Sequence, residues 1–257
     1  MTADPAAKAF FSTLAPGDHC AGTVSAVERA GLKVALDDFP SHPLGEVWSG
    51  DLPLGRRSPD YEVGERVTAQ VMAVHPGRNL VRLSLAATAH AELWAFLAGF
   101  AFGDMLIGTI ASIEPFGVFV ALDQGPAHPL FPGVGFITLP ELSWVRGTPL
   151  AETVQVGQQV RAMFLQFDTY NGEARLSLRG LHPDPFQLWA ETVAVGRRLS
   201  GSVTEVVDVI GAFVRVADGV VGLVHEPGTA LKPGDQVTVT LAEVDRERRR
   251  VLLALAD

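Results

Sequence analysis

At 257 residues with 47% hydrophobic and 19% charged side chains, the chain holds enough apolar material for one large core or two to three small ones. A net charge of −9 excludes indiscriminate phosphate binding, because non-specific affinity for nucleic acid comes from neutralising many phosphates with lysine and arginine. The single cysteine, Cys20, excludes an internal disulfide framework and agrees with a reducing compartment, and the longest near-continuous apolar run, LWAFLAGFAF at 93–102, is too short for a membrane span.

Taken in chain order, one pattern appears three times. Residues 22–38, GTVSAVERAGLKVALDD, read as a strand, a glycine at the bend and a second strand. A short third strand follows near GEVW (45–48), and GERVTAQVMAVHPGRNLVRLSL closes the unit with a further pair. After AELWAFLAGFAFGD (91–104) the order recurs as GTIASIEPFGVFVALDQ (108–124), GFIT (135–138) and GQQVRAMFLQFDTYNGEARLSL. After PFQLWAETVAVGR (185–197) it recurs again as GSVTEVVDVIGAFVRVADG (201–219), GLVH (222–225) and GDQVTVTLAEVDRERRRVLLAL.

Alternating β-branched residues and turn signals such as Asn171-Gly172 make these segments strands rather than helices. Five short strands per unit predict an all-β chain of three tandem five-stranded OB-fold barrels, joined by short helical linkers. The units fall at 1–90, 91–186 and 187–257. Trp94 and Trp189, in the shared Leu-Trp-Ala of the two linkers, are expected to pack one barrel against its neighbour; KAFFSTLAPGD (8–18) reads as a trimmed copy of the same lead-in.

Period-two alternation assigns faces. If Val118, Val120 and Leu122 point inward, Phe119 stands on the outer face with Phe116 just before the glycine. By the same logic Phe213 and Arg215 share the outer face of the third unit, Lys33 takes the equivalent place in the first, and Arg250, Arg175 and Arg82 turn outward on the fifth strands. Rings and guanidinium groups on one side suit single-stranded nucleic acid, whose unstacked bases lie on aromatic faces while arginine pairs with the backbone. The competing reading is that the rings are covered by a neighbouring barrel or by a linker tryptophan. No recognition helix for duplex DNA appears.

These residues resemble the S1 RNA-binding domain, the OB-fold module strung in tandem in a ribosomal protein and attached to several ribonucleases. The features that carry the resemblance are FGVFV in the middle unit, IGAFVRV, GLVH and VDRERRRV in the last, and the linker LRGLHPDPF. The resemblance implies an RNA-facing surface of two aromatics on the second strand, a histidine ending the third, an aspartate ending the fourth and an arginine starting the fifth. By position it assigns Phe213, His225, Asp245 and Arg250 in the third unit, with Ile210 in place of the first aromatic. In the middle unit it assigns Phe116, Phe119 and Asp168, with Thr138 for the histidine and Glu173 for the arginine. The first unit departs furthest, carrying Ala30, Lys33, Trp48, His75 and Leu80 at the five places.

Charge divides unevenly. Residues 91–186 carry 4 basic and 9 acidic side chains, whereas 187–257 carry 8 and 10. Useful affinity is therefore expected to need two units on one strand. The run Arg246, Arg248, Arg249, Arg250 reads either as an RNA contact or as a solvated hairpin. The loops at 37–45 and 124–135 both contain His-Pro-Leu, and Phe131 in the second either extends the binding surface, meets a protein partner or stiffens the turn.

The chemistry of other classes is missing from the sequence. The seven histidines are scattered without metal-ligand spacing, GVGF is a lone Gly-x-Gly, Asp37 and Asp38 lack an acid–base partner, and no nucleophile motif occurs. The expectation is a soluble cytoplasmic protein that is no enzyme, takes no cofactor, metal or small-molecule substrate and touches no membrane. It binds single-stranded RNA such as mRNA, with a place in translation or RNA metabolism implied by the resemblance. The alternative is a scaffold that docks on the ribosome or a ribonuclease through degenerate barrels.

Overall fold

The computed structural model describes residues 5–39, 43–145, 153–225 and 230–256. Among these residues fifteen strands form three closed five-stranded barrels. The first comprises β1 (His19–Glu28), β2 (Gly31–Leu36), β3 (Gly45–Trp48), β4 (Arg66–His75) and β5 (Leu80–Ser84). The second comprises β6 (Met105–Glu114), β7 (Gly117–Leu122), β8 (Gly135–Thr138), β9 (Gln159–Asp168) and β10 (Glu173–Ser177). The third comprises β11 (Arg198–Val207), β12 (Gly211–Ala217), β13 (Val220–Val224), β14 (Gln236–Asp245) and β15 (Arg250–Leu255). The meander of the first three strands is antiparallel, and closure comes from a parallel pairing of third strand with fifth, β3–β5, β8–β10 and β13–β15. This is the OB arrangement expected from the repeat.

Two local features curl a short sheet into a barrel. Each first strand carries a bulge against the second, between Val24 and Ala26, Ile110 and Ser112, and Val203 and Glu205, which bends the strand and raises its twist. Each bend into the second strand is a glycine at positive φ: Gly31 (+151°), Gly117 (+157°) and Gly211 (+128°). A Cβ at these places would lie 1.9, 2.4 and 2.1 Å from the carbonyl oxygens of Val47, Ile137 and Val224, so the third strand passes where no side chain fits.

The alternation read from the sequence sets the cores. Leu32, Val34 and Leu36 of β2, Val118, Val120 and Leu122 of β7, and Ala212 and Val214 of β12 are all buried. Helix α1 (Pro5–Phe11) adds Ala7 and Phe11 to the first core, and Phe10 stacks on Phe39 at 5.4 Å. Helix α2 (Leu85–Ala89), capped by Ser84 Oγ accepting from the Ala87 amide, and α3 (Ala91–Ala98) follow β5. A short α4 (Leu139–Leu142) follows β8. Helix α5 (Pro185–Thr192) has Asp184 as its cap, accepting from the Phe186 amide, and proline at its first position, where the missing N–H costs nothing.

The chain divides into two compact units, Met1–Thr138 with Gln155–Leu176, and Leu139–Val154 with Ser177–Asp257. The first holds the first two barrels. There Trp94 meets Phe167 edge-on at 5.3 Å and stacks beside His90, whose Nε2 accepts from the Leu54 amide of the first barrel. Trp189 packs with Phe186 on the core of its own third barrel. His42, half of the repeated His-Pro-Leu reading, lies outside the described residues.

Candidate nucleic-acid interface

Strand register places the same row of three outer positions on every barrel, one each from the second, third and fifth strands. In the first barrel the row is Lys33, Glu46 and Arg82; in the second, Phe119, Phe136 and Arg175; in the third, Phe213, Leu223 and Leu252. The three barrels differ less in fold than in the chemistry of this row.

In the first barrel the row neutralises itself. Lys33 pairs with Glu46, and Arg82 donates through Nε and Nη2 to Asp51 at 3.2 and 3.0 Å while its guanidinium lies 4.0 Å over the Trp48 ring. Burial pushes the Asp51 carboxyl up from its ordinary range and Arg82 pulls it back down. Among the described residues no stacking ring is left open on this ledge beyond the outer part of Trp48.

In the second barrel the row is aromatic, and here the structure corrects the sequence. Phe119 is on the outer side, as alternation requires, yet only 6% exposed. What covers it is neither a neighbouring barrel nor a linker tryptophan but three rings of its own barrel: Phe131 stacked at 5.2 Å, Phe136 at 4.9 Å and Phe116 edge-on at 6.5 Å. Phe136, which sequence reasoning passed over, was readable from the same alternation, since Ile137 beside it is fully buried. Phe131 is held in place by His128, on whose ring it stacks at 4.7 Å. The buried His128 accepts at Nδ1 from the Leu130 and Phe131 amides and meets the Asn171 carbonyl through Nε2, which fixes the neutral tautomer with its proton on Nε2; burial holds its pKa below the ordinary histidine range. Phe116 remains 60% exposed.

Asp168 and Arg175, expected as separate contacts, face each other. Arg175 donates to Asp168 Oδ2 from Nε at 3.0 Å and from Nη2 at 2.6 Å, and its guanidinium rests 4.9 Å from the Phe136 ring centre. Glu173 stands buried beside them with Nη2 of Arg175 3.4 Å from its Oε2, which has no hydrogen bond among the described residues. Burial pushes its carboxyl up to about 7, against the pull of Arg175. One cation thus serves two carboxylates.

The third barrel is the open one. Phe213, Arg215, His225, Asp245 and Arg250 line a single groove of about 850 Å³. Phe213 is half-buried, while Arg215, His225 and Arg250 are exposed. The His225 ring is oriented by Nδ1 against the Ile210 carbonyl at 3.0 Å. Asp245 stands opposite Arg250 in the strand register and accepts from the Arg248 amide. The four-arginine run splits by role. Arg246 donates to the Ala190 carbonyl at the end of α5, and Arg249 pairs with Asp184 and lies against Trp144 and Phe186, so both fasten the helix; Arg248 and Arg250 face solvent. Trp144 also lines this groove, its Nε1 donating to the Arg179 and His182 carbonyls. It was not foreseen, because it lies in an irregular segment where no period reveals a face. Among the described residues no three histidine, cysteine or acidic side chains gather to hold a metal, and no helix is long and apolar enough to cross a membrane.

Three OB barrels in series, with an outer row that is self-paired in the first, aromatic in the second and apolar beside a groove carrying Arg215 and Arg250 in the third, define a tandem OB-barrel protein. More particularly, residues 100–179, the segment of the second barrel, match the model of the S1 RNA-binding domain family. It is 33% identical over 91% of its length to the small ribosomal subunit protein bS1 of Mycobacterium tuberculosis, covering 49% of that protein. It is 31% identical to bS1 of Leuconostoc lactis over 95% of this chain and 57% of the relative, and 28% identical to that of Neisseria meningitidis over 93% and 43%. The chain spans about half the length of the curated relatives it matches.

Proposed function

We propose that the chain binds single-stranded RNA, as a cytoplasmic component of translation that associates with mRNA and the ribosome, each of its three domains (1–90, 91–186 and 187–257) contributing one barrel. The observation that carries this reading is the convergence of Phe213, Arg215, His225, Asp245 and Arg250 on one groove of the third barrel. A base rests on Phe213 with His225 beside it, while Arg215 and Arg250, which form no ion pair among the described residues, meet the phosphates. Phe116 supplies the exposed ring of the middle barrel, with Phe119 beneath it as support, and Asp168 orients Arg175 toward the same side.

Fluorescence anisotropy with a short unstructured RNA at low salt tests the proposal. Wild type is expected to bind and a Phe213→Ala, Arg250→Ala double variant to bind at least tenfold more weakly; equal binding by the two sinks it. The first barrel favours a second role. Its ledge is closed by the Lys33–Glu46 and Arg82–Asp51 pairs, which suits docking on a protein surface better than base stacking. Partners that stay bound after ribonuclease treatment, and leave when Trp48→Ala is introduced, are the expected signature of that docking.

A further inference from the structure

The first two barrels, which share one compact unit, meet around a cleft of about 420 Å³ that the outer ledges do not include. Its charge is opposite to that of the chain. The lining holds Arg29, Arg56 and Arg57 and no carboxylate, in a protein of net charge −9. Arg56 is fixed, donating to the Asp60 carbonyl with its guanidinium 3.9 Å over the Tyr61 ring. Arg29 and Arg57 are exposed, and their side chains form no ion pair among the described residues. Such cations are not needed by the fold, and concentrating them in a concavity makes a seat for an anion.

The other wall identifies the anion. Tyr170, in the β9–β10 turn, lines the cleft at 68% exposure with its ring Cδ2 3.7 Å from where a Cβ on Gly50 would sit. The half-buried Phe131 supplies an edge there, and it is the ring stacked on Phe119 of the aromatic ledge. The walls are held in fixed relation. A Cβ on Gly172 would meet Leu54 Cδ1 at 2.9 Å, and one on Gly55 would meet Leu130 Cδ1 at 3.7 Å, so each barrel fits into a glycine gap of the other. A preformed site with an exposed phenol ring, a phenylalanine edge and, besides Arg56 with its Glu65 partner, the two arginines Arg29 and Arg57 fits a base flanked by phosphodiesters. Its volume lies in the range of small-ligand sites.

We propose that this cleft is a nucleotide subsite in which RNA leaving the Phe116 side of the second barrel passes against the first barrel, with one base on Tyr170 and its phosphates on Arg29 and Arg57. The inference rests on the RNA-binding reading above. It gives the first barrel a part in binding through its side, although its own ledge is closed.

The test uses the full chain and labelled oligouridylates of about 8 nucleotides, within the roughly 4–16 that one OB barrel covers, and of about 24, beyond it. The triple variant Arg29→Ala, Arg57→Ala, Tyr170→Ala changes only exposed side chains, and its melting temperature is expected to match wild type. It is expected to bind the long oligomer about tenfold more weakly. Its salt dependence should be shallower by about 1.4 in log–log slope, from about 0.7 per phosphate-bound cation. Ultraviolet crosslinking of wild type should place an adduct on the peptide holding Tyr170. If wild type and variant bind alike with equal slopes, the subsite is overturned while RNA binding stands; if wild type itself fails to bind, both readings fall. Equal protection of Tyr170 from crosslinking by free uridine monophosphate would overturn the strand as occupant in favour of a mononucleotide.

Discussion

Phe131 lies stacked on Phe119, ring centres 5.2 Å apart and planes 26° from parallel, where a nucleic-acid base would otherwise rest. Phe119 is therefore part of the packing of the middle barrel, and its loss should be read in stability before it is read in binding. Phe119→Ala removes a buried ring and leaves Phe131 and Phe136 without a floor, which is expected to cost about 3–5 kcal/mol. Phe213→Ala, at the same strand position of the third barrel but open to the groove, should cost less than about 1 kcal/mol of stability and about 1–3 kcal/mol of RNA affinity. Urea titration and RNA anisotropy on both variants check this. A Phe119→Ala protein as stable as wild type would contradict the packing role.

The difference between those two phenylalanines shows where sequence is informative. Alternation put both on the outer side of β7 and β12, and the inward residues of all three second strands are buried as it requires, except Val216 near the end of β12, which is half-buried. The three bends, at Gly31, Gly117 and Gly211, were visible as an in-register repeat. Alternation gives direction but not cover, and cover on Phe119 comes from the loop at 124–134, whose shape depends on three hydrogen bonds of His128. The same limit explains Asp168 and Arg175. Their outward placement was legible, whereas the fact that each satisfies the other depends on a side-chain geometry that spacing does not encode. The arginines of the inter-barrel cleft had no strand pattern to reveal them.

Glu173 makes stability depend on pH. Its folded pKa is raised, from 4.5 to about 7, chiefly by burial, so the folded chain holds this proton more tightly than the unfolded chain does. The stabilising share is complete below about pH 4.5 and is lost as pH rises through about 7. Glu173→Gln keeps the shape without the charge. At pH 8 it is expected to stabilise the unit by on the order of 3 kcal/mol, since one pKa unit is worth about 1.4 kcal/mol, and at pH 5 by much less. Denaturant titrations of both proteins at the two pH values measure the difference. A gain that does not change with pH would point away from the carboxyl.

Arg249 and Arg250 are neighbours with opposite tasks. Arg249 occupies the left-handed position of the β14–β15 turn at φ +53°, where the first two barrels have Asn79 and Gly172, residues that tolerate that backbone. It is kept there by the ion pair with Asp184 and by contact with Trp144 and Phe186. Arg249→Ala should therefore destabilise by about 1–2 kcal/mol, between the limits for exposed and buried pairs, and Arg249→Gly by about 1 kcal/mol less because the backbone strain is relieved. Arg250→Ala should leave the melting temperature unchanged and lower the salt slope of RNA binding by about 0.7. Calorimetry and salt-dependent anisotropy on the three variants separate the tasks. If Arg249→Gly proves less stable than Arg249→Ala, the strain argument is wrong.

Two glycines of the first compact unit lie at positive φ and would each take a methyl group badly, but for different reasons. At Gly31 the added Cβ would lie 1.9 Å from the Val47 carbonyl oxygen and 3.0 Å from the Trp48 Cα, both backbone atoms of β3. Backbone cannot step aside without breaking the β2–β3 pairing, which runs from Gly31–Trp48 to Val34–Gly45. At Gly172 the nearest atom is the Cδ1 of Leu54 at 2.9 Å, the far end of a side chain that can rotate, followed by His128 Nε2 at 3.3 Å. Gly31→Ala is thus expected to cost about 3 kcal/mol or more, with loss of the strand pairing on the Trp48 side. Gly172→Ala should cost about 1–2 kcal/mol, the ordinary cost of the left-handed backbone. Gly172→Ala should also push Leu54 back into the cleft and, on the subsite proposal, reduce crosslinking at Tyr170 without altering binding to the third barrel. Urea titration gives the ranking and crosslinking the second effect; a Gly31→Ala protein as stable as Gly172→Ala would mean that β3 has room to move, contrary to the closed barrel described above.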